Sequence, residues 1–322
     1  MGYSLTKLGG VFFLCAVLCA GIPRQACASD KKTSRALSHY ILGLMYDRLG
    51  QFDKAVPEFT AALKSDFENS VIHISLGATY IKNNELAKAI DELKLAAGFD
   101  PAAVEPHAIL ALLYSAQNKT AEANREYEIA LQNAALLEPS NVDIYKTLGV
   151  VYMQQKKLVD AEKTYRFIIE LAPADAQARF YLGSILDLQK KRSLAELELK
   201  KAIELKPDYS EALNYLGYMY VEDNRNLEAA ETLITKALSL QPDNGAYLDS
   251  LGWFYFKKGR VAEALKYLER ASILINDPVV FNHLGEAYFT SGDLVRAKDS
   301  WKRSLQLDPA QDALVSKLKE LE

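Results

Sequence analysis

The chain has 322 residues, 49% of them apolar and 25% charged, the balance of a folded globular protein and not of a disordered one. A net charge of −4 leaves no basic excess to hold a nucleic-acid backbone, and 16 Gly with 10 Pro exclude collagen-like and low-complexity classes. The three cysteines, Cys15, Cys19 and Cys27, all fall in the first 28 residues.

Residues 1–28 read as an export signal. Lys7 closes a short positive stretch, residues 8–23 (LGGVFFLCAVLCAGIP) are uncharged and mostly apolar, and Ala26-Cys27-Ala28 supplies a small-x-small cleavage pattern before Ser29. The apolar run is shorter than the ~20 residues of a spanning helix; retention as an uncleaved anchor is the alternative. A lipid-modified cysteine fits poorly, because Leu precedes Cys15 and Cys19 and Arg24 stands three before Cys27. Cleavage after Ala28 removes Lys7 and Arg24 but no acid, which takes the net charge to −6, and it leaves no cysteine for a disulfide, a thiol nucleophile or a thiolate ligand. The expectation is an exported protein, periplasmic or secreted, with no membrane span in the mature chain. Residues 29–35 are expected to be a linker.

From Ala36 onward the chain repeats itself. A Leu followed by a small residue recurs at Leu42-Gly43, Leu76-Gly77, Leu110-Ala111, Leu148-Gly149, Leu182-Gly183, Leu216-Gly217, Leu251-Gly252 and Leu284-Gly285. Tyr follows three residues after the small one in seven copies, from Tyr46 to Tyr288, with Leu186 in the eighth. An alanine row (Ala55, Ala89, Ala123, Ala161, Ala195, Ala230, Ala264, Ala297) precedes by four a row of large residues (Phe59, Leu93, Tyr127, Tyr165, Leu199, Ile234, Leu268, Trp301). Pro closes most copies, at 101, 139, 173, 207, 242 and 309. Small and apolar residues at i, i+3, i+4 and i+7 form one helical stripe, as His39, Leu42, Gly43 and Tyr46 do. Gly mid-helix costs ~1 kcal/mol against Ala, which is tolerable if the missing side chain lets another helix come close. Pro57 is expected within about the first turn of its helix, where amides lack partners anyway.

This pattern resembles the tetratricopeptide repeat (TPR), a helix–turn–helix unit. Eight copies tile 36–311 as 36–69, 70–103, 104–141, 142–175, 176–209, 210–244, 245–277 and 278–311, and Leu314, Leu318 and Leu321 mark residues 312–322 as a C-terminal capping helix. The resemblance implies an all-α fold, a right-handed α–α superhelix (solenoid) of about eight hairpins, in which neighbours bury each other's flanks. Four extra residues in the third copy are expected to lengthen its second helix by about one turn.

No phosphate-cradling loop, HExxH, nucleophile elbow or EF-hand pattern appears, so no catalytic residue, cofactor or metal site is expected. His39, His73 and His107 share one repeat position. Equivalent helices in a stack lie at least ~8–10 Å apart, so three parallel imidazoles do not converge on one ion, and they read as half-buried packing residues; His283 reads as an isolated one. Asn118-Lys119-Thr120 matches a glycosylation triplet, a weak pattern.

In the TPR family the stripe one residue on from the packing stripe lines a concave groove. Here that stripe carries Tyr40 and Leu44 in copy one, Phe180 in copy five, Asn214 and Tyr218 in copy six, Asp249, Trp253 and Phe256 in copy seven, and Asn282 and Phe289 in copy eight. The groove is apolar and aromatic and, with Lys146 followed by Val150, lacks the Lys/Arg pattern of carboxylate-clamp TPRs. Asn214, Asp249 and Asn282 form a polar ladder suited to an extended peptide backbone, with the aromatic residues as pockets for its side chains. The PDNGAYLDSLGW stretch resembles bacterial envelope TPR proteins. The reading is a non-enzymatic scaffold or adaptor that captures a protein or peptide; self-association through the apolar N-terminal copies is the alternative, and a small-ligand or enzymatic cavity a remote one.

Overall fold

The computed structural model describes residues 24–321, and every regular element among them is an α-helix. Residues 1–23 of the expected export signal lie outside the described residues. Contacts divide the chain into two compact units that meet in sequence between Ile144 and Tyr145.

The first unit holds α1 (Arg24–Arg48), α2 (Phe52–Ser65), α3 (Ser70–Lys82), α4 (Leu86–Phe99), α5 (Glu105–Ala116) and α6 (Thr120–Leu137). The second holds α7 (Val142–Gln154), whose first turn straddles the division, α8 (Leu158–Leu171), α9 (Ala176–Leu188), α10 (Arg192–Leu205), α11 (Ser210–Glu222) and α12 (Leu227–Leu240). It continues through α13 (Gly245–Lys257), α14 (Val261–Leu274), α15 (Pro278–Ser291), α16 (Leu294–Leu307) and α17 (Asp312–Glu320). Helices pair as hairpins, α1 with α2 and so on, and the second helix of one hairpin packs on the first helix of the next within each unit. α6 has 18 residues where the other second helices have 14.

Residues 29–35, expected as a linker, are helical and belong to α1. The segment Ser29–Arg35 contains neither Gly nor Pro, so nothing stops the helix from running upstream of the first repeat. Pro57 also departs from expectation. It is the sixth residue of α2, beyond the free amides of the first turn, so the Asp53 carbonyl has no amide four residues on.

The repeated glycines act by close approach. A Cβ on Gly43 would lie 2.7 Å from the Phe59 ring, on Gly217 2.6 Å from Ile234 Cγ1, and on Gly252 2.7 Å from Leu268 Cγ. The large residue of each second helix thus fills the space left by the small residue of the first. Phe59, Leu93, Tyr165, Leu199 and Trp301 are all fully buried. α17 closes the end of the second unit, where Leu314 and Leu318 join Leu284, Tyr288 and Trp301 in one cluster and Lys317 donates to Glu286 at 2.6 Å.

The histidine row has its own chemistry. His39, His73 and His107 each bond through Nδ1 to a glutamate 19 residues later on the hairpin's second helix: Glu58 at 2.7 Å, Glu92 at 2.6 Å and Glu126 at 2.6 Å. Arg179 takes the same place and donates to Glu198 at 2.8 Å. The row is a set of hairpin clamps, each with its own carboxylate. At His73 burial works against the charged imidazole, yet the Glu92 bond and a second one to the Phe67 carbonyl outweigh it and raise the pKa above 6.5. A raised histidine pKa adds stability that is fully present below the unfolded value and is lost as pH rises through the folded one. Denaturant resistance is therefore expected to fall as pH climbs above 6.5, and His73→Gln is expected to flatten that slope. Urea melts at pH 6 and pH 8 on both proteins check it.

Candidate functional site

The first helices α11, α13 and α15 lie side by side in the second unit. Their polar stripe and the segment between α14 and α15 enclose an open cavity of about 270 Å³. Asn214 and Tyr218 come from α11, Asp249 from α13, Val279 and Val280 from α15, and Ile275 and Asp277 from the intervening loop. The local sequence explains the loop's role. The exit of this second helix lacks the closing Pro of most copies, and Ile275 adopts an extended conformation (ψ 140°) that folds its side chain against Gly245.

Asn214 Oδ1 is buried and has no hydrogen-bond partner. A buried amide oxygen left unpaired costs about 1–3 kcal/mol, so the cavity holds an acceptor in want of a donor. Tyr218 is half-buried, and its hydroxyl is pushed well above the usual phenol range, chiefly by burial, with Glu222 and Asp249 adding to it. It is a neutral hydroxyl that can donate or accept.

Asp249, read as a free rung of the ladder, is engaged. His283 Nδ1–H donates to both of its carboxylate oxygens at 3.0 and 3.1 Å, and both side chains are buried. His283, read as isolated, is therefore the partner that holds Asp249 in place. The imidazole lies flat on Trp253, ring centroids 3.9 Å apart and planes 11° apart. Trp253 in turn stacks on Phe256 at 4.7 Å and donates its Nε1–H to Glu222 at 2.6 Å. The aromatic pair expected to receive guest side chains is thus occupied by the chain's own rings, and Trp253 is buried. It does not line the cavity but stacks on the imidazole that bonds Asp249.

The other predicted residues are dispersed. Asn282 is half-buried and does not line the cavity. Phe289 is exposed, packed beside Trp301 and under the Lys317 ammonium. Phe180 sits among Tyr181, Tyr209 and Tyr215 at centroid distances of 5.3–5.9 Å. In the first unit Tyr40 bonds Ser75 Oγ at 3.3 Å and packs with Leu44 on the core around Phe59. Among the described residues no group of three or more His, Cys, Asp or Glu is placed to hold a metal ion, and no helix is long and apolar enough to cross a membrane.

The cavity offers an unpaired amide oxygen, a hydroxyl and a carboxylate above an apolar floor. Its residues hold acceptors for N–H groups.

Comparison with known proteins bears on the fold. The tetratricopeptide repeat family matches residues 40–104, 110–176, 159–210, 189–244 and 220–278, more than half of the chain. No curated protein sequence matches it. Among solved structures, a tetratricopeptide repeat protein from Parabacteroides merdae superposes with a TM-score of 0.59 at 18% identity, covering 78% of this chain and 97% of its own. PilW, described as a widely conserved type IV pilus biogenesis factor, gives 0.54 at 16% identity, covering 67% of this chain and 98% of its own. The Cut9–Hcn1 hetero-tetramer of the APC/C gives 0.57 at 19% identity, covering 84% of this chain and 52% of the matched one. These likenesses show the architecture: stacked helical hairpins of the α–α superhelix class.

Proposed function

Because the chain belongs to the tetratricopeptide repeat family, whose members generally mediate protein–protein interaction, we propose that it is a non-enzymatic scaffold that captures an extended segment of a partner protein on the α11–α13–α15 face. The observation that carries this is the unpaired Asn214 Oδ1 at a cavity between three first helices. A peptide N–H satisfies it at the least cost, while the Asn214 amide donates to the peptide carbonyl. Tyr218 and the His283-held Asp249 supply further polar contacts, and Ile275, Val279 and Val280 take an apolar side chain.

The reading extends to location. The apolar run before Pro23, the Ala26-Cys27-Ala28 pattern and the absence of cysteine beyond it support export to the bacterial envelope, with the protein acting as an adaptor there. N-terminal sequencing of the protein from its native cells is expected to begin at Ser29; a chain that keeps Lys7 would remove this part of the proposal.

Panning of a phage-displayed random peptide library on the immobilised protein tests the capture itself. Peptides are expected to enrich, and Asn214→Ala is expected to weaken them about tenfold while the far-ultraviolet spectrum is unchanged and the melting midpoint does not fall. Absence of enrichment, or peptides indifferent to both Asn214→Ala and Tyr218→Ala, overturns the assignment.

A further inference from the structure

α1 carries an apolar face that no other described residue of its unit covers. Leu42 is 38% exposed and Met45 45% exposed, whereas the residues at the same repeat positions are buried: Leu76, Leu110, Leu182, Leu216, Leu251 and Leu284 for the first, and Thr79, Leu113, Ile185, Met219, Phe254 and Ala287 for the second. In those copies the first helix packs on the second helix of the hairpin before it, and among the described residues no hairpin precedes α1. The hairpin-to-hairpin interface therefore continues onto α1 and stops there, unfilled.

The sequence at the end of α1 is not adapted to that exposure. Leu49 is 62% exposed at a position where every other copy has a polar residue, among them Asn83, Gln117, Gln189, Asp223, Lys258 and Ser291. Leu37 and Ile41 extend the same face, each 55% exposed. Single exposed apolar residues are ordinary, but Leu37, Ile41, Leu42 and Met45 on one helical face, with Leu49 just beyond its end, mark a contact surface.

Its occupant must be a helix with a matching free apolar face. Among the described residues α1 is the one helix whose exposed large apolar residues run at i, i+4 and i+8, as Leu37, Ile41 and Met45 do. The far end of the second unit is closed by α17, which leaves no open stacking face there for a head-to-tail addition. We propose that the α1 face is a contact between two copies of this chain, α1 against α1 about a two-fold axis. A two-fold contact uses one patch twice and closes on itself, so it gives a dimer and not a filament. It is independent of peptide capture, which uses residues of the second unit.

Sedimentation equilibrium of the purified protein across micromolar concentrations is expected to show one copy passing to two. The variants Ile41→Glu/Met45→Glu and Ile41→Lys/Met45→Lys change solvent-exposed residues, so circular dichroism is expected to match that of the parent. Each set apposes like charges across the axis and is expected to weaken the dimer by about a hundredfold or more, while an equimolar mixture of the two associates again. A parent protein that stays monomeric throughout, a dimer that survives in both variants, or a mixture that fails to reassociate overturns the proposal.

Discussion

Replacing Trp301 by alanine is expected to cost about 3–5 kcal/mol, the largest loss available from one side chain in the second unit. The indole is fully buried between Gly285 and the α17 cap, in the cluster that also holds Leu284, Tyr288, Leu314 and Leu318. Removing it deprives the cap of its floor as well as leaving a cavity. The same indole explains Gly285, where an added Cβ would collide with the Trp301 ring. Gly285→Ala alone is therefore expected to destabilise by about 1–3 kcal/mol through overpacking. In the Trp301→Ala background the collision is gone, and the same change is expected to be neutral or to gain up to about 1 kcal/mol of helix propensity. The coupling between the two positions should then exceed about 1 kcal/mol, measured as a double-mutant cycle from urea unfolding. An additive cycle would mean that the glycine is not there for the indole.

Asp249→Ala is expected to damage stability and capture together. It leaves the His283 Nδ1–H buried without an acceptor, at about 1–3 kcal/mol, and frees the imidazole that lies on Trp253. Asp249→Asn keeps an oxygen for that N–H and is expected to recover most of the stability. The two variants separate scaffold from site: if Asp249 only braces His283, the asparagine variant binds selected peptides as the parent does. Since Asp249 also lines the cavity, the asparagine variant is expected to be stable yet weaker in binding. Urea midpoints and peptide titrations on the same preparations give both quantities.

Much of the fold was legible because repeat packing is periodic. The Leu-Gly row and the rows of Ala and large residues mark which helix faces meet, and the distances at Gly43, Gly217 and Gly252 show the contact those rows imply. The site was legible only in part. Asn214, Tyr218 and Asp249 share a cavity because the stripe one residue beyond the packing stripe does turn toward it. The His283–Asp249 bond was not readable, since it joins residues 34 apart on neighbouring hairpins and depends on side-chain rotamers that carry no period. The burial of Trp253 follows from the same pairing. Ile275 and Asp277 were missed because they lie in a loop outside the helical stripes. A signal for them existed: the seventh copy is one residue short and has no closing Pro, and that is where the loop turns inward.

The histidine row shows how a repeated residue can look like a site. Three imidazoles at one register suggest a shared ligand, but each hairpin answers its histidine with a glutamate 19 residues later. Arg179 with Glu198 makes the same clamp without an imidazole. What repeats is the clamp, and its variation among hairpins is a local choice of cation.

The proposed role of the α11–α13–α15 face is to hold a guest polypeptide. A crystal structure of the protein with a peptide selected by panning tests it most directly. An extended segment is expected across the cavity, with a peptide N–H donated to Asn214 Oδ1 and an apolar side chain against Ile275 and Val280. A peptide seated elsewhere on the protein, with the Asn214 oxygen still unpaired, would contradict it.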